Sequence, residues 1–280
     1  MATPLARTCS RLCGWLADRK LPTFLRAPVY RSYARATGAD LSEVRLALAD
    51  HPSLGAFFIR RLKDGARPFP GDPTLLPSPV DGRVQQVSPI ERGTVLQAKG
   101  RPYAVAELLG DERAAAELEG GHAWTLYLSP SDYHRIHCPL DARLAHLAWL
   151  PGSLHSVAPK VLARRPKVLS INERAVLRLE CPLPAGAPGH WGVCYLVAVG
   201  ALNVGRIRVV GVDVHAPAPK PELSFDRGAE LARFEMGSTV VLLSPAEGFV
   251  PDPRLVQGLA LRMGEIIGRR GASAPGPGAR

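Results

Sequence analysis

The chain has 280 residues, 46% hydrophobic and 21% charged, which is the composition of one large folded domain or two modest ones. Its formal net charge is +10, and residues 1–70 supply +7 of it, with 12 Lys or Arg against 5 Asp or Glu. Nucleic acid is not expected as a partner, because no zinc-finger spacing, aromatic ribonucleoprotein motif or long basic run accompanies this charge. An anionic membrane surface fits the basic segment at least as well.

The apolar stretches and the cysteines narrow the class of protein further. The longest apolar run, residues 191–205, is too short to span a bilayer and contains Asn203, so we predict peripheral membrane contact without a transmembrane helix. Charged residues interrupt every apolar stretch near the N-terminus, which argues against a secretory signal. The five cysteines are an odd number without a C-x-x-C pair, which favours a reducing compartment and argues against a disulfide framework or a structural zinc site.

The first part of the chain is predicted to be helical. Between about residues 5 and 65, apolar residues recur at mixed spacings of three and four. Leu41 and Val44 belong to one such helix, for which Asp40 and Glu43 form a capping box.

Residues 21–35 place aromatic and apolar side chains among arginines. That mixture is typical of a helix lying in a membrane interface. A helix packed on the core with a solvated basic face explains the same residues equally well, so both interpretations stay open.

From residue 77 onward, short alternating or apolar runs are separated by Gly and Pro, which predicts a β-rich domain. The predicted strands are residues 82–87, 123–128, 142–150, 175–179, 193–199, 206–214, 240–243 and 261–267. Residues 214–221 form a Pro-rich connector, and exposed connectors of this kind can be cut without unfolding the protein. Residues 271–280 are predicted to be a disordered tail.

The dipeptide Gly237-Ser238, followed by Thr239 and the apolar run 240–243, has two interpretations. Gly-Ser is common in turns, and the apolar run by itself predicts a buried strand. Alternatively, the hydroxyl of Ser238 is held against the carbonyl of the unhindered Gly237, and the chain cuts itself at this bond.

An attacking serine needs a base within hydrogen-bond reach and, usually, a carboxylate that orients the base. The candidate bases are His134 and His137, in residues 131–139 (SDYHRIHCP), and the candidate carboxylate is Asp81, in residues 78–82 (SPVDG). Taken singly, each has an ordinary explanation: Asp-Gly as a tight turn and the two histidines as a metal-ligand pair. A further metal ligand is not recognisable, so no metal site is predicted.

Taken together, these segments resemble the phosphatidylserine decarboxylase family. Residues 78–82, 132–139 and 237–239 occur in that order along the chain. Further matching segments are residues 57–63 with 66–68, 151–157, 172–174 and 199–205. The resemblance covers the chain except residues 1–20 and the C-terminal tail, and a chance match would have to reproduce all these segments in order.

The resemblance implies that the chain is a proenzyme. His137 would take the hydroxyl proton of Ser238 while Asp81 holds the imidazole in the correct tautomer. Attack on the Gly237 carbonyl, β-elimination and loss of ammonia would then convert Ser238 into a covalent pyruvoyl cofactor. The products would be a larger chain, residues 1–237, and a smaller chain, residues 238–280.

The resemblance also implies the second reaction. A pyruvoyl ketone condenses with an amine and accepts the electrons released with CO2, as pyridoxal phosphate does, so that phosphatidylserine becomes phosphatidylethanolamine. His134 is the expected proton donor or positioning group in this step, because His137 is assigned to self-cleavage. The division of labour between the two histidines stays open.

The expected fold is α+β, with a β-rich catalytic domain, N-terminal amphipathic helices and biotinyl-like barrel elements near residues 262–268. The expected regions are a membrane-associating segment (1–70), the decarboxylase domain (71–270) and the tail (271–280). The expected partners are phosphatidylserine, an anionic membrane surface and the heterodimer of the two fragments, with a higher homo-oligomer left open. The expected location is the cytoplasmic face of the cell membrane, as a peripheral protein.

Two other functions fit part of the sequence. An Asp/His/Ser hydrolase would use the same three residues on an external ester or peptide, although the second glycine of a G-x-S-x-G nucleophile elbow is missing. A non-enzymatic basic binding protein would explain the charge and leave the three motifs as coincidence. For the lipid phosphate, Arg135, Lys160 and Arg206 are candidates, but solvated surface charge explains each of them as well.

Overall fold

The structure is a computed structural model, and it describes residues 14–97, 101–182, 191–201, 207–213, 223–235 and 238–271. The helices are α1 (Thr23–Thr37), α2 (Leu54–Phe58), α3 (Val105–Leu109), α4 (Glu112–Ala116), α5 (Pro159–Leu162) and α6 (Val168–Ile171), with a 3-10 turn at Leu48–Asp50 and a helical stretch at 14–17. The strands are β1 (Leu75–Pro77), β2 (Gly82–Pro89), β3 (Thr94–Leu96), β4 (Pro102–Ala104), β5 (His122–Leu128), β6 (Arg135–His137), β7 (Ala142–Leu150), β8 (Arg174–Pro182), β9 (Trp191–Val199), β10 (Ile207–Val209), β11 (Ser224–Phe225), β12 (Glu230–Phe234), β13 (Ser238–Ser244), β14 (Phe249–Pro251), β15 (Ala260–Leu261) and β16 (Ile266–Arg270). The predicted β-rich α+β fold is confirmed.

The largest sheet has eight strands in the order β11-β7-β8-β9-β13-β5-β2-β15. Strand β13 lies inside it, antiparallel to β5 on one side and to β9 on the other. Every residue of β13 is buried, because its run of valines and leucines is apolar on both faces and both faces are covered. The strand predicted at residues 240–243 is therefore confirmed, and it forms the centre of the core.

Three smaller sheets surround this one, in the orders β1-β16-β14, β10-β12-β6 and β3-β4. The pairing of β12 with β6 brings the segment that precedes β13 against residues 135–137. Residues 260–270 do form a strand, a turn and a strand, but β15 pairs with β2 whereas β16 pairs with β1 and β14. The described strands thus form open sheets and no closed barrel.

Helix α1 is anchored to the rest of the fold by its two tyrosines. The Tyr30 ring stacks on Phe57 with centroids 4.6 Å apart, and its hydroxyl donates to the carbonyl of His51 at 2.8 Å. The Tyr33 hydroxyl donates to the carbonyl of Pro130 at 2.6 Å. One face of the helix is therefore fixed to the rest of the fold, and the prediction of a helix here is confirmed.

The second predicted helix, beginning after Asp40, is wrong. The Asp40 carboxylate accepts hydrogen bonds from the Ser42 amide and hydroxyl at 2.8 and 2.7 Å, which closes a local turn instead of capping a helix. Val44 then forms an antiparallel bridge with Leu62, and the Glu43 carboxylate joins ion pairs across the fold. Tertiary pairing has overridden the helical spacing of the apolar residues.

Some predicted features lie outside the described residues, namely residues 1–13, Arg206, the connector at residues 214–221, Gly237 and the tail from residue 272. In the described part of the chain, no helix is both long and apolar enough to cross a membrane. A search of the same residues finds no cluster of three or more potential metal ligands.

Candidate active site

Ser238 is the first residue of β13, directly opposite Leu128 of β5. Its side chain is fully buried, and its Oγ has no hydrogen-bond partner among the described residues. Leaving a buried hydroxyl unsatisfied costs about 1–3 kcal/mol. An unsatisfied hydroxyl in an entirely buried strand requires an explanation, and a reactive role of Ser238 is one.

The turn at residues 78–82 brings Asp81 to the same end of the sheet. A Cβ on Gly82 would lie 2.4 Å from the carbonyl oxygen of Tyr127, so only glycine allows the turn to lie this close to β5. Tyr127 precedes Leu128, the strand partner of Ser238. The glycine therefore sets the position of Asp81 next to the start of β13.

The Asp81 carboxylate is held by three donors. Arg67 donates through Nε to Oδ1 at 2.7 Å and through Nη2 to Oδ2 at 2.6 Å, and the Met263 amide donates to Oδ1 at 2.8 Å. Arg67 also forms an ion pair with Glu43 at 2.8 Å. Burial would lower the pKa of Arg67, but the hydrogen bonds and charges of Asp81 and Glu43 raise it above its ordinary value. A permanently charged guanidinium thus fixes the Asp81 side chain.

His137 ends strand β6 with both ring nitrogens engaged. Nδ1 lies 2.6 Å from the carbonyl oxygen of Gly228, and Nε2 lies 3.1 Å from the hydroxyl of Tyr133. A carbonyl can only accept, so Nδ1 carries the proton and Nε2 is the basic nitrogen. Burial lowers the pKa of His137, while the Gly228 carbonyl and the charges of Glu230 and Asp81 partly oppose that shift. The ring is therefore a neutral base near neutral pH.

His134 is completely buried and stacks against Phe58, with ring centroids 4.0 Å apart. Its Nδ1 lies 2.8 Å from the carbonyl oxygen of Asp132, and its Nε2 has no partner among the described residues. Burial lowers the pKa of His134 to about 3, with the charge of Arg60 adding to the shift against the opposing Asp132 hydrogen bond. This imidazole is neutral, with an unshared electron pair on Nε2 available to accept a hydrogen bond.

Backbone hydrogen bonds connect the elements that carry these side chains. The His137 amide donates to the carbonyl of Pro79 at 2.9 Å, which joins β6 to the turn of Asp81. The Phe234 amide donates to the carbonyl of His134 at 3.0 Å, four residues before Ser238. The structure thus gathers the predicted residues at one end of β13. It places no hydrogen bond between Asp81 and His137 in the described part of the chain, where the tautomer of His137 is set by Gly228 instead.

The loop at residues 151–157 reaches this region through Asn172. The Asn172 amide side chain accepts from the His155 amide at 3.0 Å and donates to the carbonyls of His155 and Gly200, both at 2.8 Å. Gly200 follows Val199, the strand partner of Thr239. The loop is consequently held against the core next to β13.

A cavity of about 390 Å³ opens beside Asp81, and Arg60, Arg67 and Tyr133 contribute to its lining. Sequence reasoning did not assign a role to these three residues. Each lies within a segment that carries the family resemblance, so a search of those segments for side chains able to pair with the predicted acid or base would have found Arg67 and Tyr133.

Comparison with known proteins identifies the family. The sequence model of the family described as phosphatidylserine decarboxylase matches residues 54–269. The chain belongs to the phosphatidylserine decarboxylase family. A phosphatidylserine decarboxylase proenzyme of Anaeromyxobacter sp. (strain K) is 39% identical over 270 residues, covering 92% of this chain and 93% of the relative. Proteins of the same name from Myxococcus xanthus (strain DK1622) and Alkalilimnicola ehrlichii are each 36% identical, with 92% and 90% of both chains covered, respectively.

Membership in the phosphatidylserine decarboxylase family confirms the resemblance seen in the sequence, and with it the prediction of an enzyme of the carboxy-lyase class. The match begins at residue 54, so the segment that carries α1 precedes it. The relatives are named proenzymes, which bears on the interpretation of Ser238.

Proposed function

We propose that this chain cleaves itself between Gly237 and Ser238, converts Ser238 into a pyruvoyl group, and decarboxylates phosphatidylserine to phosphatidylethanolamine. The observation that carries the proposal is the buried Oγ of Ser238 at the start of the central strand, which has no hydrogen-bond partner in the described part of the chain. The family supports the substrate, and the proenzyme names of the relatives support the processing.

His137 is the proposed base for self-cleavage. The Gly228 carbonyl holds the proton on Nδ1, so that Nε2 can receive the proton of the Ser238 hydroxyl in place of its hydrogen bond from Tyr133. The negative charges of Glu230 and Asp81 favour the imidazolium that results. Asp81 therefore acts as an electrostatic partner of His137, and Arg67 holds it in place.

The bonds change in three steps. The Ser238 oxygen adds to the Gly237 carbonyl, and the peptide C–N bond breaks as its nitrogen takes a proton, which leaves an ester and a free amine. Removal of the Cα proton of Ser238 then expels the Gly237 carboxylate and leaves a dehydroalanine. One water replaces the nitrogen as ammonia departs, so that the smaller fragment begins with a ketone. The chemistry supplied by this ketone is that of an electrophilic carbonyl conjugated to an amide, able to take up electrons when CO2 leaves.

His134 is the proposed positioning residue for the substrate. His134 is neutral, and its Nε2 has no partner among the residues that the structure describes, so it can accept a hydrogen bond from the substrate and orient it. With a pKa of about 3, His134 does not carry a second proton at neutral pH, which favours a positioning role over that of a proton donor. Ser238 and His134 are both fully buried, which keeps bulk water away from their side chains.

We propose that the two fragments remain together as a heterodimer. Strand β13, which begins the smaller fragment, hydrogen-bonds to β5 on one side and to β9 on the other. Strands β14 and β16 of the same fragment pair with each other, and β16 also pairs with β1. Separating the fragments would expose the centre of the core, so breaking one peptide bond leaves the fold intact.

The same proposal places the protein on an anionic membrane surface. Four large apolar side chains near the N-terminus are exposed: Trp15 (53%), Leu16 (56%), Phe24 (77%) and Leu25 (41%). Arg19 and Lys20 lie between them and are also exposed, and the Arg19 guanidinium lies 3.7 Å from the centre of the Trp15 ring. Apolar groups among cations suit the headgroup region, where each cation contributes about 1 kcal/mol near an anionic leaflet. Tyr33 of α1 connects this surface to the Pro130 carbonyl, close to the site.

The test measures the carbonyl group and the reaction in one preparation. Treatment with borohydride should reduce a ketone on the 238–280 fragment and abolish release of CO2 from carboxyl-labelled phosphatidylserine. Ser238→Ala should give an uncleaved chain without either property. Ser244→Ala, at the other end of the same buried strand, is the matched control and should retain both. An uncleaved wild-type chain that hydrolyses esters through Ser238 would instead support the Asp/His/Ser hydrolase.

A further inference from the structure

Arg60 follows helix α2 and is only 3% exposed. Its Nη2 donates to the carbonyl oxygens of Ser131 at 2.9 Å and Asp132 at 3.5 Å. Its Nε and Nη1 are buried and have no hydrogen-bond partner among the described residues. A guanidinium has five N–H donors, and a buried charge with so few partners is unfavourable unless an anion completes the site.

Arg174 is a buried arginine with a purely structural role, and its hydrogen-bond partners can be compared with those of Arg60. It is buried to nearly the same extent, at 6% exposed, but all three of its nitrogens donate to backbone carbonyls, those of Leu108, Asn172 and Glu107. Within the described residues, Arg60 is the one arginine with two buried nitrogens left unpartnered. This difference in hydrogen-bond partners indicates that the remaining donors of Arg60 bind a ligand group that is not part of the chain.

The position of Arg60 indicates which group that is. Arg60 lines the 390 Å³ cavity beside Asp81, and Phe58, two residues before it, stacks on His134. The charge of Arg60 is close enough to lower the pKa of His134. Burial lowers the pKa of Arg60 itself, which an incoming anion would counteract. Arg60 thus lies beside the proposed reaction centre and lines a space large enough for a small polar headgroup.

We propose, resting on the proposed function, that Arg60 binds the phosphodiester group of the lipid headgroup. A phosphodiester keeps its negative charge throughout the reaction, so a fixed cation binds substrate and transition state equally. A cation paired with the departing carboxylate would instead stabilise the ground state and slow the loss of CO2. Arginine is also the side chain best suited to phosphate oxygens. Of the alternatives suggested by the sequence, Arg135 fits less well, because its guanidinium is occupied by Glu230 and the Ile59 carbonyl. Lys160 is exposed, and Arg206 lies outside the described residues.

Binding to the uncleaved Ser238→Ala chain tests the proposal without requiring activity. The probes are glycerophospho-L-serine, O-methyl-L-serine, which lacks the phosphate, and inorganic phosphate, each measured by calorimetry. Adding Arg60→Gln should weaken glycerophosphoserine binding about 30-fold, equivalent to about 2 kcal/mol, and leave O-methylserine binding unchanged. Arg61→Gln is the matched control, since its neighbouring guanidinium is 60% exposed and pairs with Glu230 at 3.4 Å.

Four results would overturn the assignment. An equal loss of affinity for both serine ligands would show that Arg60 binds the carboxylate. Glycerophosphoserine binding that is undiminished by Arg60→Gln, or undetectable in the Ser238→Ala chain, would leave Arg60 without this role. Inorganic phosphate that binds as tightly as glycerophosphoserine would identify a site for free phosphate and not for the headgroup.

The processed enzyme gives a second, separate measurement. In the otherwise unaltered chain, Arg60→Gln and Arg60→Lys should cleave normally, and Arg60→Gln should raise KM for glycerophosphoserine about 30-fold with little change in kcat. Failure of both variants to cleave would make Arg60 a folding residue and refute the proposal. Failure of the wild-type chain to cleave would refute the proposed function instead, while the binding result would still decide the role of Arg60.

Discussion

Two regions of this molecule depart from ordinary folding rules in opposite ways. Around the start of β13, two buried polar atoms lack partners among the described residues, namely the Oγ of Ser238 and the Nε2 of His134, which lies just before β6. At the N-terminal surface, large apolar side chains such as Phe24 and Trp15 are exposed to solvent. The first arrangement lowers stability and the second lowers solubility, and neither is needed to form the sheet.

This difference indicates that the substrate and the membrane meet different parts of the protein. Buried polar atoms that lack partners among the described residues, such as those of Ser238 and His134, are suited to chemistry. Their positions are fixed by the surrounding structure before the substrate arrives. Exposed apolar groups among cations are suited to a membrane, which satisfies both kinds of group at once. The hydrogen bond from Tyr33 to the Pro130 carbonyl connects the two regions, because Tyr33 belongs to α1 and Pro130 belongs to the turn that precedes His134.

The largest expected effect concerns the base of the buried region. His137→Gln should slow self-cleavage by about 10⁴-fold, because Nε2 is the proposed acceptor of the Ser238 proton. The rate is read by following the 1–237 fragment on denaturing gels after synthesis. His146→Gln, an exposed histidine on β7, is the matched control. Normal cleavage by the His137 variant would show that another group removes the proton.

The next effect separates the two histidines. His134→Gln should leave cleavage largely intact and lower the kcat of decarboxylation by about 10³-fold, because the ring is proposed only to position the substrate. Both rates are measured on the same sample, by mass for cleavage and by CO2 release for turnover. Loss of cleavage in this variant would contradict the proposed division of roles.

The sequence predicted much of this arrangement, for reasons that are local. The apolar run after Ser238 specifies a doubly buried strand, and the Asp-Gly turn specifies a close approach of backbone to backbone. The failed helix after Asp40 depended on tertiary pairing, which a spacing rule does not contain. Arg60 could not be predicted either, because an unpartnered nitrogen is a property of packing and not of residue type.

A third, smaller effect tests the exposed region. Trp15→Ser combined with Phe24→Ser should weaken binding to phosphatidylglycerol-containing vesicles about 100-fold, since burying two such side chains contributes about 3 kcal/mol. Cosedimentation measures the bound fraction, and self-cleavage should be unaffected. Val256→Ser is the matched control, because Val256 is 61% exposed but lies outside the N-terminal surface. Equal weakening by the control would remove the argument for this surface.

The smallest effect is a pH dependence in the buried region. The pKa of His134 is lowered to about 3 in the folded chain, so the unfolded chain binds a proton more readily below about pH 6.5. The contribution of His134 to the free energy of unfolding is therefore complete above pH 6.5. It is lost as the pH falls below that value, by about 1.4 kcal/mol per pH unit. Urea unfolding at pH 7 and pH 5.5 should show a smaller decrease for His134→Gln than for the wild type. An identical decrease would mean that His134 is not neutral in the folded chain.

The central claim is that Ser238 is the precursor of the catalytic group. Its most direct measurement is the intact mass of the purified wild-type protein under denaturing conditions. The account predicts two fragments divided between Gly237 and Ser238, the smaller one lacking a free amino terminus and carrying the mass of a pyruvoyl group in place of serine. A single full-length species, or a smaller fragment that begins with an unmodified serine, would contradict it.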